Sequence, residues 1–306
     1  MSILIILIAL LITINRAKIM KKLFILFFTI FYNITLFAQT GKVIESLEFE
    51  SNLVNYPVEY SVYLPPDYET SERSYPILYL LHGYSDDETG WIQFGETNQI
   101  ADKGIANGDY PPCIIVMPNG KVSWYINSFD GKDPWEDMFV KEFIPFIEKE
   151  YRVRPKKEFR AIAGLSMGGN GALLLSMRNT ELFSSCVAMS AGTFTDDEII
   201  NSDSYDNYFK DIYGPKPEGK VSEYWKANSP LHLLETVDAE KLKSIRFYID
   251  CGDDDFLYKG NSALHVKMRD LGIPHEYRVR NGSHSWSYWR TGLYDGLVFI
   301  SEKFHR

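Results

Sequence analysis

The hexapeptide Gly164-Leu165-Ser166-Met167-Gly168-Gly169 lies between an apolar run, Ala161-Ile162-Ala163, and a helical pattern from Gly168 to Met177. Glycines two residues before and after a serine permit a sharp strand-to-helix turn that lifts the hydroxyl clear of the backbone, where side chains would collide. An ordinary Gly-rich turn is the plain alternative, but the strand–turn–helix setting favours a nucleophile. A serine hydroxyl is a weak nucleophile near neutral pH, so it needs a base, and the base needs an acid to orient it. Around such an elbow the chain order is serine, acid, histidine.

Five of the six histidines follow Ser166. His305 adjoins the C-terminus, His265 falls mid-helix, His275 begins a strand, and His232 lies in a long strandless stretch. His284, in Asn281-Gly282-Ser283-His284-Ser285-Trp286, sits between the last strand and the last helix, where an imidazole reaches over the strand ends. It is the expected base. The acid belongs on the loop leaving the preceding strand, which reads Asp250-Cys251-Gly252-Asp253-Asp254-Asp255-Phe256. Asp255 is preferred, with Asp254 as the alternative; Asp253 and Asp254 read as solvated or turn-capping. Its task is to hold the imidazole tautomer and stabilise the imidazolium. Two backbone N–H groups should cradle a developing oxyanion: Met167, just after the nucleophile, and Tyr84, in His82-Gly83-Tyr84-Ser85 after the run ending Leu80-Leu81. His82 precedes the serine and reads as structural.

These residues need a scaffold that brings distant loops to one edge. Val58–Leu64 alternates with period two and ends at Pro65-Pro66, the mark of an early antiparallel strand. Tyr75–Leu81 and Ile114–Met117 are continuous apolar runs, as strands buried on both faces should be. Trp135–Tyr151 reads as an amphipathic helix. Strands at Ala161–Ala163, Ser184–Met189, Ile245–Asp250 and Glu276–Val279 alternate with helical patterns through Trp286–Phe304. The fold class is therefore α/β, a mostly parallel central sheet with helices on both faces. Thr193 to Leu242 lacks a clear strand and is too long for a plain connection, so a lid insertion is expected there.

The 306 residues are 45% hydrophobic and 24% charged, which excludes disorder, a collagen-like repeat and a disulfide-stapled miniprotein. Residues 1–38 hold four basic residues (Arg16, Lys18, Lys21, Lys22) and no acidic one; the remainder has 28 basic against 41 acidic residues. A domain that acidic repels a phosphate backbone, so nucleic acid is not an expected partner. Two apolar runs, Ser2–Ile14 and Leu23–Ala38, are each shorter than the roughly 20 residues of a membrane-spanning helix. Lys21-Lys22 followed by Leu23–Phe28 has the charged-then-apolar order of a secretory signal. Residues 1–38 are thus expected to be a signal peptide with an upstream extension, the natural start falling at Met20 and cleavage before Gln39. An uncleaved anchor is the alternative. The expected location is secreted or periplasmic, with no stable membrane anchor, and residues 39–306 form one domain. Cys113, Cys186 and Cys251 lie in or beside strand-like runs without metal-ligand spacing, and an odd count precludes complete internal pairing. Buried thiols are expected.

Together, His82-Gly83, Gly164–Gly169, Asp250–Asp255 and Gly282–Trp286 resemble the esterase D-like esterase family, over nearly all of the chain after residue 38. Trp124-Tyr125 and Tyr213-Gly214 also sit where that family has similar residues. The resemblance implies an α/β-hydrolase fold and a Ser166–Asp255–His284 triad, matching the choice made from the residues, and it implies no metal or organic cofactor. The family spans feruloyl, acetyl xylan and tributyrin esterases, S-formylglutathione hydrolases and mycolyltransferases. Export argues against a cytosolic formylglutathione substrate and points to ferulate or acetate esters on plant-wall xylan, of the carbohydrate esterase type. Alternatives are an acylglycerol or siderophore esterase, an S-formylglutathione hydrolase-like thioesterase, a sugar acyltransferase, or a non-catalytic binding protein. Aromatic side chains suited to stacking on a phenolic acyl group or a sugar are Trp91, Trp124, Tyr125 and Trp286, with Tyr205, Tyr208, Phe209, Tyr213 and Trp225 in the expected lid. Packing is the competing role for each.

Overall fold

The computed structural model describes residues 18, 20–22 and 40–304. The expected signal peptide lies outside the described residues apart from helical residues at Lys18 and Met20–Lys22, and His305 lies outside them too. The chain divides after Gln39, and the unit from Thr40 onward carries every strand described below.

Apolar runs too long for one wetted face form the middle of an eight-stranded sheet. The strands are β1 (Lys42–Phe49), β2 (Val58–Leu64), β3 (Ile77–Leu81), β4 (Ile114–Pro118), β5 (Arg160–Leu165), β6 (Ser185–Met189), β7 (Arg246–Gly252) and β8 (His275–Arg280). Their order is β1-β2-β4-β3-β5-β6-β7-β8. β2 runs antiparallel to β1 and β4, and all other neighbours are parallel. Along β3 the side chains alternate between two cores. Ile77, Tyr79 and Leu81 join Phe139, Phe143 and Leu173 on one face; Leu78 and Leu80 join Trp289, Leu293 and Leu297 on the other. Helix Met167–Arg178 covers the first face and helix Trp286–Phe304 the second.

Three elements differ from expectation. β1 escapes a period-two reading because a bulge between Ile44 and Leu47, with Ser46 at φ 53°, breaks its alternation on a half-exposed edge. Helix Thr97–Asn107 was not expected either. The helix expected over Trp135–Tyr151 widens into a π-helical segment at Phe139–Phe143. Pro145, at the start of helix Ile144–Glu150, has no N–H to give the preceding turn and its ring crowds the carbonyl there.

The stretch Thr193–Leu242 holds six short helices and no strand. Its first part borders the cavity described below. Farther along, Tyr213, Trp225, Leu233 and Leu234 are buried in the cluster beneath helix Met167–Arg178. All three cysteines are buried free thiols. Among the described residues no helix is long and apolar enough to cross a membrane.

Candidate active site

β5 ends at Leu165 and helix Met167–Arg178 begins two residues later, leaving Ser166 alone in the turn at φ 53°, ψ −119°. Two backbone bonds pin this strained conformation: Ser166 N–H donates to Met189 O (2.9 Å), and Gly192 N–H donates to Ser166 O (2.7 Å). The flanking glycines are required by contact. A methyl at Gly164 would lie 2.3 Å from Gly168 O, and one at Gly168 would lie 2.4 Å from Leu81 O. The elbow therefore sits directly on the end of β3.

The loops after β7 and β8 bring the other two groups to the same edge. His284 Nδ1–H donates to Asp255 Oδ2 at 2.9 Å, with Oδ1 at 3.1 Å, so the opposite nitrogen, Nε2, faces Ser166 Oγ at 3.0 Å as an acceptor. Asp255 is buried. Burial alone would raise its carboxyl pKa, but the hydrogen bonds of His284, the Leu257 N–H and Ser190 outweigh it and hold the carboxyl below its usual range. It therefore remains an anion able to orient the imidazole. Asp254 is exposed and its N–H bonds Gly282 O; Asp253 accepts from Gly282 N–H at 2.9 Å. The Asp253 carboxylate and the Asp254 backbone N–H thus tie the acid loop to the histidine loop, and neither carboxylate meets His284.

His284 is also held by rings. Phe256 lies 4.6 Å from it, and Trp289 meets it edge-on at 4.8 Å while donating Nε1–H to Ser190 Oγ (3.0 Å). Ser190, at φ 44°, and Trp289 were not anticipated; they lie 99 residues apart and carry no local pattern. Phe256 had one available cue, its place beside Asp255.

A cavity of about 660 Å³ opens at Ser166. Its walls are Tyr84, Trp124, Phe194, Ile199, Tyr208, Phe209, Phe256 and Leu257, with Glu198, Ser202, Asp203 and Ser204 as the polar part of its lining. Of the four aromatics expected to bind substrate, Trp124 alone lines it. Trp91 is fully buried with its Nε1–H on Leu81 O (2.9 Å), and Trp286 packs against Trp91 and Phe94 on the sheet's opposite face. Tyr125 points into the core, its ring on Trp135 and its hydroxyl on His82 O (2.9 Å). Trp124 and Tyr125 both have positive φ (55° and 60°), and the turn sends one ring to the cavity and the other inward. Tyr208 and Phe209 line the cavity; Tyr205, Tyr213 and Trp225 pack behind it.

Gly83 lies against the elbow: a methyl there would sit 3.6 Å from Ser166 Cβ. His82 is buried, which depresses its pKa to about 4. Its structural reading holds. Among the described residues no cluster of side chains forms a metal site.

The sheet order, the elbow between β5 and its helix, and a histidine–carboxylate pair on the loops after β8 and β7 define an α/β hydrolase. The family model described as "Putative esterase" matches residues 51–300, and the chain belongs to that family of serine hydrolases. A ferulic acid esterase of known structure is 33% identical, with a TM-score of 0.75 over 87% of this chain and 99% of its own. An endo-1,4-beta-xylanase/feruloyl esterase of Xylanibacter ruminicola is 36% identical over 146 residues, 45% of this chain and 20% of that protein. An esterase of Mycobacterium tuberculosis is 29% identical over 276 residues, 82% of this chain and 58% of that protein. The matches thus span a fifth and somewhat over half of these curated relatives' lengths.

Proposed function

We propose that the protein is a serine carboxylesterase that works through an acyl-enzyme, with feruloyl or acetyl esters of plant-wall polysaccharide as its substrates. The observation that carries this is the unbroken chain Asp255–His284–Ser166 ending at the mouth of an aromatic cavity. Ser166 Oγ attacks the ester carbonyl as His284 Nε2 takes its proton; Asp255 steadies the imidazolium. The N–H groups of Tyr84 and Met167 hold the oxyanion. His284 returns the proton to the departing alcohol oxygen as the C–O bond breaks. Water then attacks the acyl group by the same base, and the free acid leaves. Trp124, Tyr208 and Phe209 offer stacking surface to a phenolic acyl group. The names of two of the relatives support a feruloyl substrate. The cavity's charged lining residues, Glu198 and Asp203, are both acidic, which favours a neutral ester over a glutathione conjugate bearing carboxylates. We further propose that residues 1–38 export the protein.

Replacing Ser166 by Ala is expected to lower kcat by about 10⁴- to 10⁶-fold with the fold retained. Comparing kcat/KM on methyl ferulate, acetylated xylan, tributyrin and a catecholate ester tests the substrate class. Preference for either of the last two rejects the polysaccharide reading, and turnover surviving in the Ser166→Ala protein rejects the nucleophile.

A further inference from the structure

The loop that offers the Tyr84 N–H carries two successive carbonyls, and each is tied by a buried side chain. His82 O accepts the Tyr125 hydroxyl at 2.9 Å. Gly83 O lies 2.7 Å from His82 Nδ1. The proton on that imidazole can be placed. Gly120 N–H, which can only donate, points at His82 Nε2 from 2.8 Å. Nε2 is therefore the acceptor, and the proton sits on Nδ1 and donates to Gly83 O. His82 and Tyr125 are both buried, so these bonds face no competition from solvent.

A trans peptide is planar with its C=O and N–H pointing in opposite directions. Fixing the Gly83 carbonyl on His82 Nδ1 thus fixes the direction of the Tyr84 N–H, which belongs to the same peptide plane. The Tyr125 hydroxyl does the same for the preceding plane, leaving the loop little freedom to rotate. Both braces depend on the segment after β4, where Gly120 N–H sets the His82 tautomer and Tyr125 supplies the hydroxyl; within the loop, Asp86 N–H adds only a longer bond to Gly83 O (3.3 Å). Gly120 and Tyr125 belong to the segment after β4, itself tightened by Ser123 Oγ, which donates to Gly120 O (2.7 Å) and accepts from Tyr125 N–H (3.1 Å).

We propose that His82, through Nδ1–H, and Tyr125, through its hydroxyl, are positioning residues that aim the Tyr84 N–H at the transition-state oxyanion. This rests on the esterase reading above. Neither side chain touches substrate; each acts through the peptide it holds. A misplaced donor weakens stabilisation of the transition state and leaves ground-state binding nearly unchanged.

The two nitrogens of His82 can be tested separately. In His82→Asn the amide nitrogen replaces Nδ1 as donor to Gly83, and the acceptor for Gly120 is lost. In His82→Gln the amide oxygen replaces Nε2 as acceptor from Gly120, and the donor to Gly83 is lost. The expected result is that His82→Gln lowers kcat about 10- to 100-fold on a p-nitrophenyl ester with KM within about twofold. It also weakens inhibition by a trifluoromethyl ketone, which forms an oxyanion on Ser166, by the same factor. His82→Asn is expected to recover most of kcat while losing more in Tm than His82→Gln does. Tyr125→Phe, which keeps the ring packing, is expected to reproduce the kcat loss at unchanged KM, and it decides the matter should His82→Gln not fold. Equal kcat in the two His82 variants, or a kcat loss with unchanged ketone affinity, overturns the positioning role. Wild-type protein without Ser166-dependent ester turnover overturns the esterase reading itself.

Discussion

At the scale of single residues, Ser166 illustrates how a strained backbone is held at the turn between β5 and its helix. A non-glycine residue at φ 53° costs of order 1–3 kcal/mol. It persists because its N–H, its carbonyl and the two close glycine contacts leave the turn no other shape. His82 has a consequence measurable without substrate. Its folded pKa, about 4, lies below the usual value of 6.5, so the neutral form belongs to the native state. Between those values the unfolded chain binds a proton that the native protein does not, and stability falls as pH drops from about 6.5 to about 4. The group's share of that loss is about 3 kcal/mol once pH reaches the folded pKa. Urea unfolding at pH 7 and pH 4.5 is expected to show a markedly smaller pH dependence in His82→Gln than in the wild type. An unchanged dependence would place the titration elsewhere.

At the scale of elements, the site is assembled from the ends of β5, β7 and β8, and the last two are aligned by an ion pair whose carboxylate is buried. Asp250 in β7 accepts from Arg280 of β8 through Nε (2.8 Å) and Nη2 (3.1 Å). Tyr288 of the closing helix and Tyr248 also donate to that carboxylate. Asp253 N–H then bonds Arg280 O, so the acid loop leaves its strand from a fixed point. Asp250 is fully buried, and removing its partner leaves an uncompensated charge, which costs about 3 to 5 kcal/mol. Arg280→Met should lower the urea midpoint by the equivalent of that amount. A change under 1 kcal/mol would show that the tyrosine hydroxyls suffice. The same scale explains what the sequence concealed. β1 lies at an edge, half exposed and bulged, so its alternation is broken where a period-two pattern is sought. The stretch Thr193–Leu242 reads as one insertion because it lacks strands, yet packing divides it into a cavity wall and a piece of core.

At the scale of the whole molecule, the acidic domain and the basic, apolar stretch before it differ sharply in composition. N-terminal sequencing of protein recovered from the medium or periplasm is expected to begin near Gln39; protein retaining Phe27 and Phe28 rules out cleavage. The sequence alone determined the parallel α/β sheet and the meeting of Ser166, His284 and an aspartate, Asp255 or Asp254. Those features follow from short-range constraints: continuous apolar runs bury both faces, an elbow needs glycine at fixed offsets, and chain order dictates which loops converge. Tertiary structure decided between Asp255 and its neighbours: Asp255 is buried against His284, the Asp253 carboxylate is taken by Gly282 N–H, and Asp254 is exposed. It also decided which aromatic rings face the cavity. Trp91, Trp124, Tyr125 and Trp286 are alike in type, yet Trp124 borders the cavity through a partner 84 residues away, Tyr208, while the others are claimed by the cores. Burial of a ring depends on surfaces brought together across the chain, and no pattern within a few residues records which surfaces those are.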